Sequence, residues 1–399
     1  MITYYILPKE NTLDHLLKSL RPEAATTPES GIVAVFNYGR DREGLTPLWT
    51  GEGDLPTPAF IHKAATEGLE AGDTFYTWQR GVPQLRQALA DYHERVYGKS
   101  MPSERFFVTG SGMQAIQLAI QAVAGAGDEV IVPTPVWPNI TAALGVMGAK
   151  PVAAEMDFSE NGWSLDLQKL ASNITRNTKA LFINSPGNPT GWMADLDQLR
   201  EILDLARKHG LWIIADEVYG RFVYNGERAP SFYDIAEEDD RILYVNTFSK
   251  NWAMTGWRMG WISAPPELGQ VIENLIQYST SGVAGFMQRG AIAALEQGES
   301  FFLEQREKAR QSRDILMEAL RSTGKVRFAV PHGALYLFFS VDGEKDAVKL
   351  AKRLVDEANV GLAPGEAFGL GGDGYLRACF LRDTEQVKAA AARMAECIR

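Results

Sequence analysis

Between residues 105 and 246, short apolar runs of strand length alternate with amphipathic stretches, and a turn closes each run. Residues 105–109 read as a strand, 113–124 as a helix, 125–128 as a turn and 129–133 as the next strand. The same kind of run returns at 180–184, 211–215 and 242–246. A charged helix at 195–209, stopped by Gly210, separates the first two of these. Continuous apolar strands alternating with helices predict an α/β fold, with a mostly parallel sheet covered by helices on both faces.

From residue 300 onward the pattern changes. A long charged amphipathic helix at 300–322 precedes a strand at 334–341, a helix at 346–357, a strand at 374–380 and a helix at 384–398. This predicts a smaller α+β domain, joined by residues before Pro58. The expected division is an N-terminal arm at 1–28, a small α+β domain from 29–58 with 296–399, and a large domain at 59–295. Neither an internal repeat nor a low-complexity stretch is evident, and 399 residues suit more than one domain.

Composition removes several function classes. The chain is 45% hydrophobic and 23% charged, enough to bury a large core and unlike a disordered chain. Its 40 basic and 50 acidic residues give a net charge of −10 without basic blocks, so no nucleic-acid partner is expected. Two cysteines, Cys379 and Cys397, are too few for a disulfide framework or a cysteine-rich zinc site. The first twenty residues carry Lys9, Glu10, Asp14 and Lys18, which interrupt any signal-peptide core. No apolar run approaches the roughly 18 residues of a membrane span. His15, His62, His93, His209 and His332 lie far apart without ligand spacing, so no metal is expected. The expectation is a cytoplasmic enzyme.

Four segments carry candidate chemistry. Gly110-Ser111-Gly112-Met113-Gln114-Ala115 follows a strand and opens a helix, a turn that presents backbone N–H groups to a phosphate. It matches a dinucleotide fingerprint, but the acid required about 20 positions on, after the next strand, is missing. A plain helix–strand turn is the alternative. Ser185-Pro186-Gly187-Asn188-Pro189-Thr190-Gly191 is a rigid loop at the end of a parallel strand, where such sheets bind ligands; alone, Asn188 is a turn residue. Asp216, in Asp216-Glu217-Val218-Tyr219, is either a helix cap or a buried carboxylate facing a ligand cation. Lys250, in Thr247-Phe248-Ser249-Lys250, leaves a buried strand for a segment of small and aromatic residues; it is either an ordinary solvated lysine or one whose pKa, lowered by desolvation or nearby positive charge, makes it a nucleophile for carbonyls. Arg258 follows with a fork suited to phosphate.

Taken together, the chain resembles the aspartate aminotransferase family of fold-type I pyridoxal-phosphate enzymes, the class I/II aminotransferases. The resemblance runs from about Gly31 to the C-terminus. Its anchors, in the family's order, are Gly51-Glu52-Gly53-Asp54, Tyr76-Thr77 with Gly81, Gly110-Ser111-Gly112, Pro135-Val136-Trp137-Pro138, Asn188-Pro189-Thr190-Gly191, Asp216-Glu217-Val218-Tyr219, Ser249-Lys250 with Arg258, and Tyr375-Leu376-Arg377.

The resemblance implies a large domain built on a mostly parallel seven-stranded sheet between helices, plus the smaller α+β domain. It implies pyridoxal 5′-phosphate as cofactor and an aminotransferase working in ping-pong order on an L-amino acid and a 2-oxo acid. Lys250 stands where the family's lysine bonds the cofactor aldehyde and later carries the substrate's α-proton. Asp216 matches the partner of the pyridine nitrogen, Tyr219 and Asn188 the partners of the ring's phenolic oxygen, and Trp137 the aromatic that stacks on the ring. The phosphate site comprises Ser111, Gly112, Met113, Thr247, Ser249 and Arg258. Tyr76 takes the place of a tyrosine that reaches the phosphate from a second subunit, which implies a homodimer with composite sites. Met113 departs from the pattern, since many relatives carry a polar side chain there. Arg377 matches the clamp on the substrate α-carboxylate, with the Gly51 backbone beside it.

Two alternatives share these anchors: a β-eliminating lyase of the same fold, and a non-catalytic ligand-binding protein that retains it. The expected substrates are glutamate and 2-oxoglutarate with an aspartate-like or aromatic amino acid. Arg40, Arg42 and Arg80 are candidates for a distal carboxylate only because they neighbour motifs. Trp78 and Tyr4-Tyr5 either line an apolar pocket or pack.

Overall fold

The computed structural model describes residues 15–159 and 161–399. Seven strands form the large sheet: β1 (Phe106–Thr109), β2 (Glu129–Thr134), β3 (Lys150–Glu155), β4 (Thr178–Asn184), β5 (Trp212–Asp216), β6 (Ile242–Thr247) and β7 (Gly260–Ser263). Their spatial order is β1-β7-β6-β5-β4-β2-β3. Only β7 is reversed, antiparallel to both β1 and β6; the remaining neighbours pair in parallel.

The central strands are apolar through their middles because both faces are covered. In β4, Leu181 and Ile183 pack into one cluster while Ala180 and Phe182 enter another on the opposite face. Ile213 and Ile214 of β5 divide the same way, as do Tyr244 and Val245 of β6. This is the two-residue alternation of a strand with hydrophobic layers on each side. The sequence reading lacks two of these strands. β3 is an edge strand with an exposed Lys150 and a half-buried Pro151, so its apolar signal is diluted. β7 is four residues long, and only Trp261 and Ile262 mark it.

Among the helices are α1 (Gly31–Gly39) and α2 (Gly112–Val123), which line the site, and α3 (Leu196–His209), α4 (Glu299–Arg321), α5 (Ala347–Ala358) and α6 (Thr384–Ile398), which pack around the sheets. α3 illustrates how local signals set the boundaries. Asp195 accepts a hydrogen bond from the Gln198 N–H at 2.8 Å, and Gly210 closes the helix in the left-handed region at φ 66°. Its buried face is Leu199, Ile202, Leu203 and Ala206, at helical spacing.

A second sheet holds β8 (Val326–Phe328), β9 (Tyr336–Val341), β10 (Ala363–Pro364) and β11 (Tyr375–Cys379), in the order β8-β9-β11-β10 with every pair antiparallel. α6 packs against α4 and α5, and α1 packs on α5 and β10. Thr46–Pro47 pairs in parallel with Val360–Gly361, tying the segment after α1 to this half of the chain. Among the described residues, no helix is long and apolar enough to cross a membrane.

Candidate active site

The C-terminal ends of β4, β5 and β6 and the turn after β1 open onto a cavity of about 430 Å³, where parallel sheets place their ligands. β11 and the segment after α1 close it from the second sheet.

Asp216 ends β5 and is 4% exposed. No helix follows it; the chain enters a turn, and the carboxylate accepts the Val218 N–H at 3.3 Å. Burial pushes its pKa up to about 7, opposed by the Val218 N–H and by the charge of Lys250. A carboxylate held this way is stabilised by any cation that comes to face it. Lys250 follows β6 and donates from Nζ to the Gly51 carbonyl at 2.7 Å. Burial lowers its pKa; Cys379 and Glu52 oppose that shift, while Arg377 and Arg258 add to it. The shift is toward the neutral amine, the form that attacks carbonyls.

One end of the cavity is built for an anion. Ser111 has φ 152°, and its hydroxyl caps α2 by accepting the Gln114 N–H at 2.9 Å. Gly112 and Met113, the first residues of α2, line the cavity, so the unsatisfied N–H groups of the helix start sit at its edge. A Cβ on Gly260 would lie 2.8 Å from the Gly112 nitrogen and 2.7 Å from the Asn246 carbonyl, so a glycine in β7 lets the turn approach the sheet. The Thr247 and Ser249 hydroxyls lie 2.9 Å apart. Arg258, in the left-handed region at φ 52°, donates to the Thr255 carbonyl at 2.6 Å and lines the same cavity.

The other end is built around Arg377 of β11, 3% exposed. One terminal nitrogen donates to Asn188 Oδ1 at 3.0 Å and the other to the Trp49 carbonyl, while Nε has no partner. The guanidinium lies between the rings of Tyr336 and Phe368, with Cζ 4.5 and 4.9 Å from their centroids. Among the described residues, no carboxylate lies within salt-bridge distance of it. Such a buried cation is costly unless an anion arrives. Asn188 is fixed by its own N–H, which donates to Asn184 Oδ1 at 2.9 Å, and Asn184 donates to the Asp216 carbonyl at 3.1 Å. The loop after β4 is thereby tied to the end of β5.

Tyr219 and Tyr336 meet across the two sheets with their hydroxyl oxygens 2.7 Å apart. Burial raises both, Tyr219 well above the ordinary phenol and Tyr336 to about 12. A Cβ on Gly51 would fall 2.3 Å from the Tyr336 hydroxyl, so only glycine lets this segment pass. Trp137 is half-buried beside Met113 and lines the cavity.

The cavity therefore gathers Lys250, Asp216, Tyr219, Asn188, Trp137, Gly112, Met113, Thr247, Ser249, Arg258, Arg377 and Gly51. Ser111 is adjacent, its hydroxyl spent on the helix cap. Tyr76 lies elsewhere, 95% exposed beside Asp73 and Arg289. Arg40 pairs with Asp41, Arg42 with Asp356 and Arg80 with Glu273, none of them at the cavity. Trp78 is exposed away from it, and Tyr4-Tyr5 lie outside the described residues. Sequence reasoning misses Tyr336, which reads as core in an apolar strand, and the α1 residues Ile32, Val33 and Phe36, which line the cavity. It quotes Glu52 in a motif without a role, yet Glu52 lines the cavity and its carboxylate accepts from the Thr255 hydroxyl at 2.9 Å. Among the described residues, no group of three His, Cys, Asp or Glu side chains is placed to hold a metal.

A lysine amine and a buried carboxylate lie at the strand ends of the large sheet, and Arg377 faces them from within β11 of the second sheet, an arrangement in keeping with the fold-type I transaminases. The family model for aminotransferase class I and II matches residues 45–394, and the chain belongs to that family. The aspartate aminotransferase of Pyrococcus horikoshii is 32% identical over 372 residues, covering 92% of this chain and 94% of that protein. The arginine–pyruvate transaminase of Pseudomonas aeruginosa is 34% identical over 356 residues, covering 89% of this chain and 90% of its own. The structure of Thermus thermophilus aspartate aminotransferase with maleate superposes with a TM-score of 0.88 at 33% identity, over 95% of this chain and 99% of that one.

Proposed function

We propose that this enzyme moves the amino group of an L-amino acid to a 2-oxo acid in ping-pong order, with pyridoxal 5′-phosphate held in the cavity at the strand ends. The observation that carries the reading is the buried Arg377 guanidinium, unmatched by any carboxylate among the described residues, in the same cavity as Lys250 and Asp216. An α-carboxylate completes Arg377, and an amine beside it lies within the reach of Lys250.

The donor set fits the cofactor. The α2 start, Thr247, Ser249 and Arg258 suit its phosphate, and the buried Asp216 suits a protonated ring nitrogen. When bound, pyridoxal phosphate supplies an aldehyde carbon for amines and a ring that accepts electrons from the substrate α-carbon. Lys250 is the residue that would hold that carbon, and its amine would carry the substrate's α-proton. Asn188 and Tyr219 would hold the ring's phenolic oxygen, and Trp137 would cover the ring face. Arg377, beside the Gly51 backbone, fixes the substrate carboxylate so that the α-hydrogen is aligned. The relatives' names span aspartate and arginine–pyruvate chemistry, so membership of the family leaves the amino acid open.

The proposal includes a homodimer in which Tyr76, exposed here, reaches the phosphate of a second copy's site. It also keeps the division into an arm at 1–28, a small domain at 29–58 with 296–399, and a large domain at 59–295; the pairing of Thr46–Pro47 with Val360–Gly361 supports the first join. A cytoplasmic location belongs to the same reading, in keeping with the unbonded thiols of Cys379 and Cys397.

An absorbance spectrum with pyridoxal phosphate tests it. A visible band that an amino acid removes and a 2-oxo acid restores is the expected result. A band that no amino acid changes overturns transamination. No band in the wild type, as in Lys250→Ala, overturns the cofactor assignment.

A further inference from the structure

The cavity carries its positive charge unevenly. Lys250, Arg258 and Arg377 are its only cationic side chains among the described residues. Arg258 belongs to the end with Thr247, Ser249 and the α2 start, so at the opposite end Arg377 is the cation that this chain's described residues offer a carboxylate. That end is roofed by α1. Phe36 meets the Trp49 ring edge-on at 5.4 Å, and the Trp49 carbonyl accepts from Arg377. An amino acid held by Arg377 therefore lies beneath Phe36 and its neighbours Ile32 and Val33. Arg40 and Arg42, one and three residues past the helix, are turned to Asp41 and Asp356. Besides Arg377 and the phenol of Tyr336, the ionisable residue that lines the cavity from this half of the chain is Glu52, an acid.

We infer that the substrate side chain packs against α1, and that the enzyme takes amino acids with aromatic or large aliphatic side chains, and the matching monocarboxylic 2-oxo acids, ahead of dicarboxylates. This rests on the transamination reading and narrows it, setting an apolar pair above the glutamate and 2-oxoglutarate pair that the family resemblance suggests. The physics is a difference in desolvation. A second carboxylate laid on Ile32, Val33 and Phe36 leaves water for an apolar surface with no counter-cation and with Glu52 nearby. A phenyl or isobutyl group in the same place covers apolar surface, and a ring also gains an edge contact with Phe36.

The test uses the holoenzyme and measures the half-reaction with phenylalanine, tyrosine, leucine, aspartate and glutamate. The expected kcat/KM is at least about tenfold higher for phenylalanine and leucine than for either dicarboxylate. Val33→Lys, at a helix position 41% exposed and so tolerant of a charge, moves the aspartate-to-phenylalanine ratio up by about tenfold or more. Phe36→Ala lowers kcat/KM for phenylalanine more than it lowers that for aspartate. An aspartate rate equal to or above that of phenylalanine in the wild type overturns the inference alone, and indicates a cation brought in by a second copy. A ratio unmoved by Val33→Lys also overturns it, because the side chain then lies away from α1. Failure of every amino acid to react overturns the transamination reading and this inference together.

Discussion

Tyr336 touches Tyr219 with its hydroxyl, oxygen to oxygen at 2.7 Å, and covers the Arg377 guanidinium with its ring at 4.5 Å. One side chain of the small sheet thus meets both the tyrosine after β5 and the arginine of β11. The hydroxyl pair is buried, so each oxygen depends on the other in place of water.

Tyr336→Phe separates the two contacts. The ring over Arg377 remains, while the Tyr219 hydroxyl loses the protein partner it has in the cofactor-free cavity. The expected cost is about 1–2 kcal/mol of stability, read as a lower urea midpoint at unchanged slope. Turnover falls about three- to tenfold with KM for the amino acid nearly constant. An unchanged urea midpoint would show that the Tyr219–Tyr336 bond contributes nothing.

Arg377→Lys keeps the charge and removes the planar fork. A lysine ammonium cannot occupy the slot between Tyr336 and Phe368 and also reach Asn188 and Trp49 in the same plane. KM for both the amino acid and the 2-oxo acid rises about 10- to 100-fold, while the cofactor spectrum stays as in the wild type. A variant with normal KM values and a reduced kcat alone would remove the carboxylate-clamp role.

How much of this is legible in the sequence depends on where the controlling contact lies. β4, β5 and β6 announce themselves because burial on both faces strips them of polar residues. β3 and β7 do not, one because it is an edge and the other because four residues carry too little pattern. Lys250, Asp216 and Asn188 are readable because each ends or follows a strand in a motif of local chain. Tyr336 is not, since its role is set by an encounter with Tyr219, 117 residues away. The same holds for Ile32, Val33 and Phe36, which read as an ordinary apolar helix until α1 is seen over the Arg377 end.

Gly260→Ala tests the anion end from behind. The new methyl carbon would fall 2.7 Å from the Asn246 carbonyl and 2.8 Å from the Gly112 nitrogen, so either β7 or the turn must move. The expected loss is about 1–3 kcal/mol of stability, with weaker retention of pyridoxal phosphate on dialysis than the wild type shows. Equal retention alongside the stability loss would mean that the turn does not hold the phosphate.

Asp216→Asn makes a prediction about pH in the apoprotein. Burial lifts the Asp216 carboxyl from 3.8 to about 7. Between those values the folded chain holds a proton that the unfolded chain has released. Unfolding therefore sheds a proton, and stability falls as pH rises through that window. Asparagine has the shape of the neutral acid and no such dependence. The variant should match the wild type near pH 4 and exceed it by on the order of 3 kcal/mol at pH 8. Glu217, whose carboxyl is also raised to about 7, is present in both proteins and cancels in the difference. Pyridoxal phosphate then reverses the ranking. A ring cation facing the carboxylate stabilises the wild type and leaves the asparagine without an ion partner, so the cofactor raises Tm more in the wild type, while turnover of the variant falls about 100-fold or more. Urea curves of both apoproteins at pH 5 and pH 8 decide the first half. A difference that does not change with pH would mean that Asp216 is already ionised before the cofactor binds, and that the site does not store this charge for a cation.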